Sequence, residues 1–162
     1  MSINEDKYIN ALLYFLKYCN NKFLGKTKLN KLFYYLDFIY YRDNNVSITG
    51  DTYISQKFGP VPNNLETYIK KAKDENLIGI QEDVIVKNGS ETNKTTFIAK
   101  EEPKMEVFNE KEKQLLENIK NTFTEYDTNQ IVLQTHLEAP WSFTEEGQEI
   151  DYKLSNDIDF FK

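Results

Sequence analysis

The chain holds one histidine, His136, and one cysteine, Cys19, among 162 residues. A thiol and an imidazole are the parts of a nucleophilic dyad. Cys19, however, continues the apolar helical register of Tyr8, Ile9, Leu12, Leu13, Phe15 and Leu16, where a free cysteine packs as an inert hydrophobe. His136 is the only side chain whose unperturbed titration falls near neutral pH. Glu138 follows two residues later and Trp141 lies just past the helix end. His136 therefore reads as a general base, as a hydrogen-bonding anchor of an interaction groove, or as a buried histidine tying a helix end to the core. Trp141, directly after Pro140, reads as a core plug or as an interface anchor. Asp37 falls in the apolar part of a helix, one turn past Tyr34. An unpaired carboxylate there is costly, so it must be hydrogen-bonded or lie at an edge. One cysteine and one histidine cannot build a usual zinc site, and no Gly-rich phosphate loop is present. No cofactor and no metal are expected.

Positioning these groups requires several elements. The first helix runs over residues 5–20 and is broken by Asn20, Asn21 and Gly25. Thr27 is the expected cap of a second helix that carries Leu29, Leu32, Phe33, Leu36, Ile39 and Tyr40. Tyr34, Tyr35, Phe38 and Tyr41 widen its apolar belt. A helix apolar over most of its circumference is buried on several sides or presents a face to a partner. Thr49-Gly50-Asp51 makes a turn, with Gly50 free to take positive φ. Residues 52–58 suit a short strand containing Tyr53. Gly59-Pro60-Val61-Pro62 cannot be helix interior and is expected to form a rigid corner that aims a third helix. A β-hairpin follows, residues 78–87 against 95–100, with a polar tip. Asn109 and Thr128 are the expected caps of a fourth and a fifth helix, the latter ended by Pro140. Residues 147–152 read as an extended return, and residues 154–160 as a terminal turn prone to fraying. The expected fold is α+β and mostly α-helical: one domain over residues 1–162, a helical core with a small antiparallel β-hairpin inserted after the third helix.

The segment from Lys28 to Pro62, KLNKLFYYLDFIYYRDNNVSITGDTYISQKFGPVP, combines a Lys-Leu helix bearing Tyr34 and Asp37, a Thr-Gly turn leading to Tyr53, and a Gly-Pro-Val element. Downstream, THLEAPW spaces His136 and Trp141 as His-x-x-x-x-Trp. Together, over roughly residues 5–152, these blocks resemble the Panacea domain of SocA-like antitoxins. The resemblance implies a small, phage-associated cytoplasmic protein of a toxin–antitoxin system. Such a protein neutralises a cognate toxin by protein–protein interaction, in one branch as an adaptor to a ClpXP-type protease, and performs no catalysis. On a phage the same role serves counter-defence. The partner-binding residues expected on this basis are Tyr34, Asp37, Tyr41, Tyr53, His136 and Trp141, with Gly50, Gly59, Pro60 and Pro62 as structural corners. The chain departs from the family pattern at Asn30, where glutamine is frequent, and in the acidic run after Trp141.

Composition narrows the partners. Hydrophobic residues make up 40% and aromatics 14%, with 11 Phe and 11 Tyr, so many hydroxyls must find partners inside the body. The net charge of −6 repels phosphate backbones and suits a basic protein partner. A single cysteine fits a reducing compartment. The polar N-terminus has no signal-peptide pattern, and no apolar run approaches a membrane span. The alternative is a winged-helix-like DNA-binding regulator, with Lys70, Lys71 and Lys73 on the third helix and Lys87 and Lys94 on a wing. Glu66, Asp74, Glu75, Glu82, Asp83 and Glu91 dilute both surfaces.

Overall fold

The computed structural model of the chain describes residues 2–162. Helix α1 (Glu5–Tyr18) starts at Asn4, whose side chain accepts from the Lys7 amide and satisfies one orphan donor of the first turn. Helix α2 (Lys26–Asn44) starts one residue before the expected cap: Gly25 stands at the N-cap and Thr27 is already helical. Every residue of α2 from Lys28 to Tyr40 is buried. It is the central helix, packed against the second strand, the fourth and fifth helices and a C-terminal 3-10 turn. The aromatic belt is therefore core. Tyr35 stacks on Phe123 at 4.5 Å between ring centres, and Phe38 stacks on Tyr152 at 4.3 Å.

Strands β1 (Tyr53–Gln56) and β2 (Gly59–Pro62) form an antiparallel hairpin around Lys57 and Phe58. The Gly-Pro-Val-Pro segment is thus a strand and not a bare corner. Its register explains why two prolines are tolerated. Gln56 faces Gly59 across a two-residue turn, and Ile54 faces Val61. Alternation along the ladder then leaves positions 60 and 62 with their backbone N directed away from β1, where proline loses nothing. The other edge of β1 takes the chain's return: the Ser55 amide donates to Gln148 O, and the Gly147 and Ile150 amides donate to Ser55 O and Tyr53 O.

Helix α3 (Leu65–Asp74) leads into strands β3 (Ile78–Lys87) and β4 (Ser90–Ala99). Only Asn88 and Gly89 form the turn, with φ of 54° and 78°, the two-residue turn that matches strand twist. Ser90 to Lys94, expected in a polar tip, belong to β4. Helix α4 (Glu110–Phe123) opens with a reciprocal capping box between Asn109 and Glu112. Helix α5 (Thr128–His136) opens with a second box between Asp127 and Gln130, so Asp127, not Thr128, is its cap. Pro140 does not simply end α5; it sits in the first turn of a short helix, α6 (Ala139–Ser142). The C-terminal segment is not frayed. A 3-10 turn at Tyr152–Asp157 packs on α2, Ile158 is fully buried, and Arg42 Nη1 donates to the carbonyls of Ile158 and Phe160 at 2.7 Å each. The architecture is α+β and mostly α-helical, with two small antiparallel strand pairs.

Candidate partner-binding site

The end of α5, the start of α6 and the β1–β2 turn meet at one place. The Trp141 ring lies on the His136 ring at 3.8 Å between centres and 15° between planes. Trp141 Nε1 donates to Gln56 O at 2.6 Å, and His136 hydrogen-bonds the backbone of Lys57. The two side chains thus clamp the hairpin turn against the α5–α6 junction. Burial and the nearby Lys31 charge hold the His136 pKa below its ordinary value, against the opposing hydrogen bond to Lys57. That direction favours the neutral imidazole, which suits stacking on an indole. Its Nε2 is buried without a hydrogen-bond partner.

Beneath this clamp lies Lys31, fully buried, donating to Pro60 O at 2.9 Å. Burial lowers its pKa to about 8. Gly59 makes the close packing possible: a Cβ there would stand 2.6 Å from Thr135 Oγ1 and 2.9 Å from Lys31 Cε. On the inner side of the junction, Glu138 is buried and accepts from the hydroxyls of Tyr34 and Tyr35 at 2.9 and 3.1 Å and from Gln134 Nε2. Desolvation raises its pKa to about 7 against the lowering effect of those donors. Asp37 is likewise buried. It accepts from the amides of Ile48 and Thr49, from Thr49 Oγ1, and from Tyr53 Oη at 2.6 Å. Its pKa rises to about 6, again because burial outweighs the hydrogen bonds.

These positions sort the expected binding residues. Tyr34, Asp37 and Tyr53 are fully buried, so they hold the body together and cannot touch a partner in this conformation. Tyr41 is half-buried and stacks on Tyr152 at 5.1 Å. His136 and Trp141 are partly exposed and adjoin one another. Gly50 and Gly59 take positive φ, 77° and 108°, while Pro60 and Pro62 are buried strand residues. The His136–Cys19 dyad does not form. Cys19 is buried at the end of α1, near Thr124 and Lys28, and burial lifts its thiol pKa to about 11. The oxygens of Asp37 and Glu138 are engaged by their own donor sets, with neither joined to His136. Among the described residues no group of three or more His, Cys, Asp and Glu side chains is placed to hold a metal ion.

The elements that carry the His136–Trp141 stack, and the residues next to them, also bear exposed apolar side chains. Leu133 and Leu137 on α5 are 63% and 78% exposed, Phe143 after α6 is 78% exposed, and Phe58 in the adjoining turn is 58% exposed. These four large apolar side chains, on or next to the elements that carry the stack, are left out of the core. Glu145, Glu146 and Glu149 follow in sequence and are exposed. Sequence reasoning did not single out the exposure of Leu133, Leu137, Phe143 and Phe58. The available signal was register: Ile131, Val132 and Thr135 face inward, and the pair Leu133 and Leu137, four apart, lies off that face.

The family model described as the antitoxin SocA-like, Panacea domain matches residues 29–142. The chain belongs to the SocA-like antitoxin family. The match runs from the first buried turns of α2 through the hairpins to the end of α6, so it includes both the internal tyrosine–carboxylate network and the His136–Trp141 clamp. No curated protein and no solved structure matches the chain. Of the lysines on the winged-helix surface of this Panacea-domain chain, Lys70 pairs with Asp74 at 3.3 Å, Lys71 pairs with Glu5, and Lys94 donates to Lys22 O, while Lys73 and Lys87 make no ion pair among the described residues. No helix among the described residues is long and apolar enough to cross a membrane.

Proposed function

We propose that this SocA-like antitoxin neutralises a cognate toxin by direct association, with the toxin seated on the α5–α6 junction. The observation that carries this reading is the exposure of Leu133, Leu137, Phe143 and Phe58 around a rigid His136–Trp141 stack. Aromatic anchors held by hydrogen bonds to the backbone lose little entropy on binding, and apolar side chains around them exclude water from the contact. The role is regulatory and non-catalytic, performed by holding the toxin in an inactive complex. Where the complex is handed to a ClpXP-type protease, this surface holds the cargo and another surface meets the protease.

Co-expression with the product of the neighbouring gene, followed by size-exclusion chromatography, tests the association. A single co-eluting peak is expected, together with rescue of growth. Leu137→Glu and Phe143→Glu should each weaken the complex about tenfold or more while leaving the thermal midpoint within a few degrees, because both side chains are exposed. Full toxin binding by the double variant would refute the assigned surface. Separate peaks for the parent chain with every neighbouring product would refute the function. Protease delivery is read separately, as a toxin half-life that shortens only when antitoxin and protease are both present.

A further inference from the structure

The β3–β4 ribbon has an outer half that stands clear of the body: residues 80–93 are all exposed. Two-stranded ribbons are marginal in water unless something covers them. The two edges of this one differ. Near β4, Lys94 Nζ donates to Lys22 O and Asn20 Nδ2 to Phe97 O, so the body partly covers that side, and the strand's outer run Glu91-Thr92-Asn93-Lys94 is polar. Among the described residues the β3 edge pairs with no further strand, and it carries Val84, Ile85 and Val86 at 65%, 38% and 73% exposure. It has no proline, and its polar flanks are Asp83 and Lys87. An open edge with an apolar centre is a template for strand addition.

We propose that this edge pairs with the same edge of a second copy of the chain, antiparallel about Ile85. The backbone phase permits it. The two-residue turn makes Lys87 and Ser90 the closing pair, so alternation directs the N–H and C=O of Val84 and Val86 away from β4. In the Ile85-centred register, Val84 of each copy exchanges both backbone bonds with Val86 of the other. Side chains then agree. Asp83 lies opposite Lys87 of the second copy, twice, flanking Ile85 against Ile85. Lys87 makes no ion pair or side-chain hydrogen bond of its own among the described residues, and Lys94, across the ribbon from Asp83, is turned to the Lys22 carbonyl. A register centred on Val84 instead sets Ile85 against Asp83 and Val86 against Glu82, apolar against charge. Opposite-charge cross-strand pairs favour the first register, and apolar–carboxylate neighbours disfavour the second. The contact is short, so the dimer is reversible and independent of the toxin surface.

Light scattering after size exclusion, with the chain loaded from about 1 µM to about 1 mM, tests this. The average mass should climb towards twice that of the monomer. Asp83→Lys and Lys87→Asp should each stay monomeric at loadings where the parent is dimeric, since each sets like charges opposite one another twice. An equimolar mixture of the two should regain the dimer, because each facing pair then joins a lysine of one variant to an aspartate of the other; this recovery also shows that both variants are folded. Val84→Pro removes an outward N–H without touching the β3–β4 ladder and should abolish the dimer. A parent monomeric at every loading, single variants that dimerise like the parent, or a mixture that stays monomeric would each overturn the proposal. A monomeric parent that loses its toxin through Val84→Pro would assign the edge to a toxin strand instead.

Discussion

Tyrosine hydroxyls and buried carboxylates form the internal frame of this molecule. Tyr53 donates to Asp37, Tyr8 to Asp51, and Tyr34 and Tyr35 to Glu138. Each carboxylate ties α1 or α2 to a segment remote in sequence. The cost is desolvation, which lifts Glu138 from 4.5 to about 7 and Asp37 from 3.8 to about 6. The folded pKa values lie above the unfolded ones, so the folded state binds more protons between them. Stability from these groups is full below the unfolded pKa and is lost as pH rises through the folded pKa. We expect the unfolding free energy, from urea titration, to fall by roughly 1–3 kcal/mol between pH 5 and pH 8. Glu138→Gln, which keeps a neutral acceptor, should remove much of that slope; an unchanged slope would show that Glu138 ionises as it does in water. Lys31 bends the curve the other way. Its folded pKa is about 8, below the unfolded 10.5, so its destabilising contribution fades as pH passes from 8 towards 10. The need for partners around Asp37 was legible from its place in an apolar helix. The identity of those partners was not, because Thr49 and Tyr53 reach it only through the turn at Gly50.

At the level of elements, the β1–β2 hairpin and the α5 end depend on one another through Gly59. Its φ is +108°, and an added Cβ would meet Thr135 Oγ1 at 2.6 Å and Lys31 Cε at 2.9 Å. Thr135 cannot withdraw freely, since its hydroxyl donates to Val132 O at 2.7 Å. We expect Gly59→Ala to lower stability by about 2–4 kcal/mol and to weaken toxin binding by loosening the Lys57 and Gln56 contacts under His136 and Trp141. Pro60→Ala, at a position whose N–H would point away from β1, should cost no more than about 1 kcal/mol. Thermal unfolding of the two variants separates them, and equal losses would deny Gly59 its special place. The sequence signalled that Gly-Pro-Val-Pro could not be helix. It hid the strand, because proline argues against a strand unless the ladder phase is known, and that phase is set by the Lys57-Phe58 turn. The same blindness applied to the second hairpin, where the polar run from Asn88 to Asn93 read as one turn and hid that Ser90 to Lys94 belong to the strand.

For the whole molecule, the proposed function assigns the exposed apolar residues and the net charge to different stages of toxin binding. The mostly helical fold and the family were legible because two motif blocks lie in order along the chain, at the central helix and at the α5–α6 junction. The place of the exposed apolar side chains was not, because an aromatic-rich helix looks alike in sequence whether it is core or interface; α2 proves to be buried from Lys28 to Tyr40, and the exposed apolar residues lie on α5, just after α6 and in a turn. The net charge is −6, and Glu145, Glu146 and Glu149, which follow Phe143 in sequence, are exposed. Rim charges of one sign steer an oppositely charged partner and set the rate of encounter, while buried apolar contacts set the rate of escape. For a basic toxin we therefore expect stopped-flow association to slow about tenfold between roughly 50 and 500 mM salt with dissociation nearly constant. Leu137→Glu should show the converse, faster dissociation with association little reduced. Association insensitive to salt would mean that the acidic surface plays no part in encounter, whereas a Leu137→Glu effect confined to association would mean that the patch does not hold the complex together.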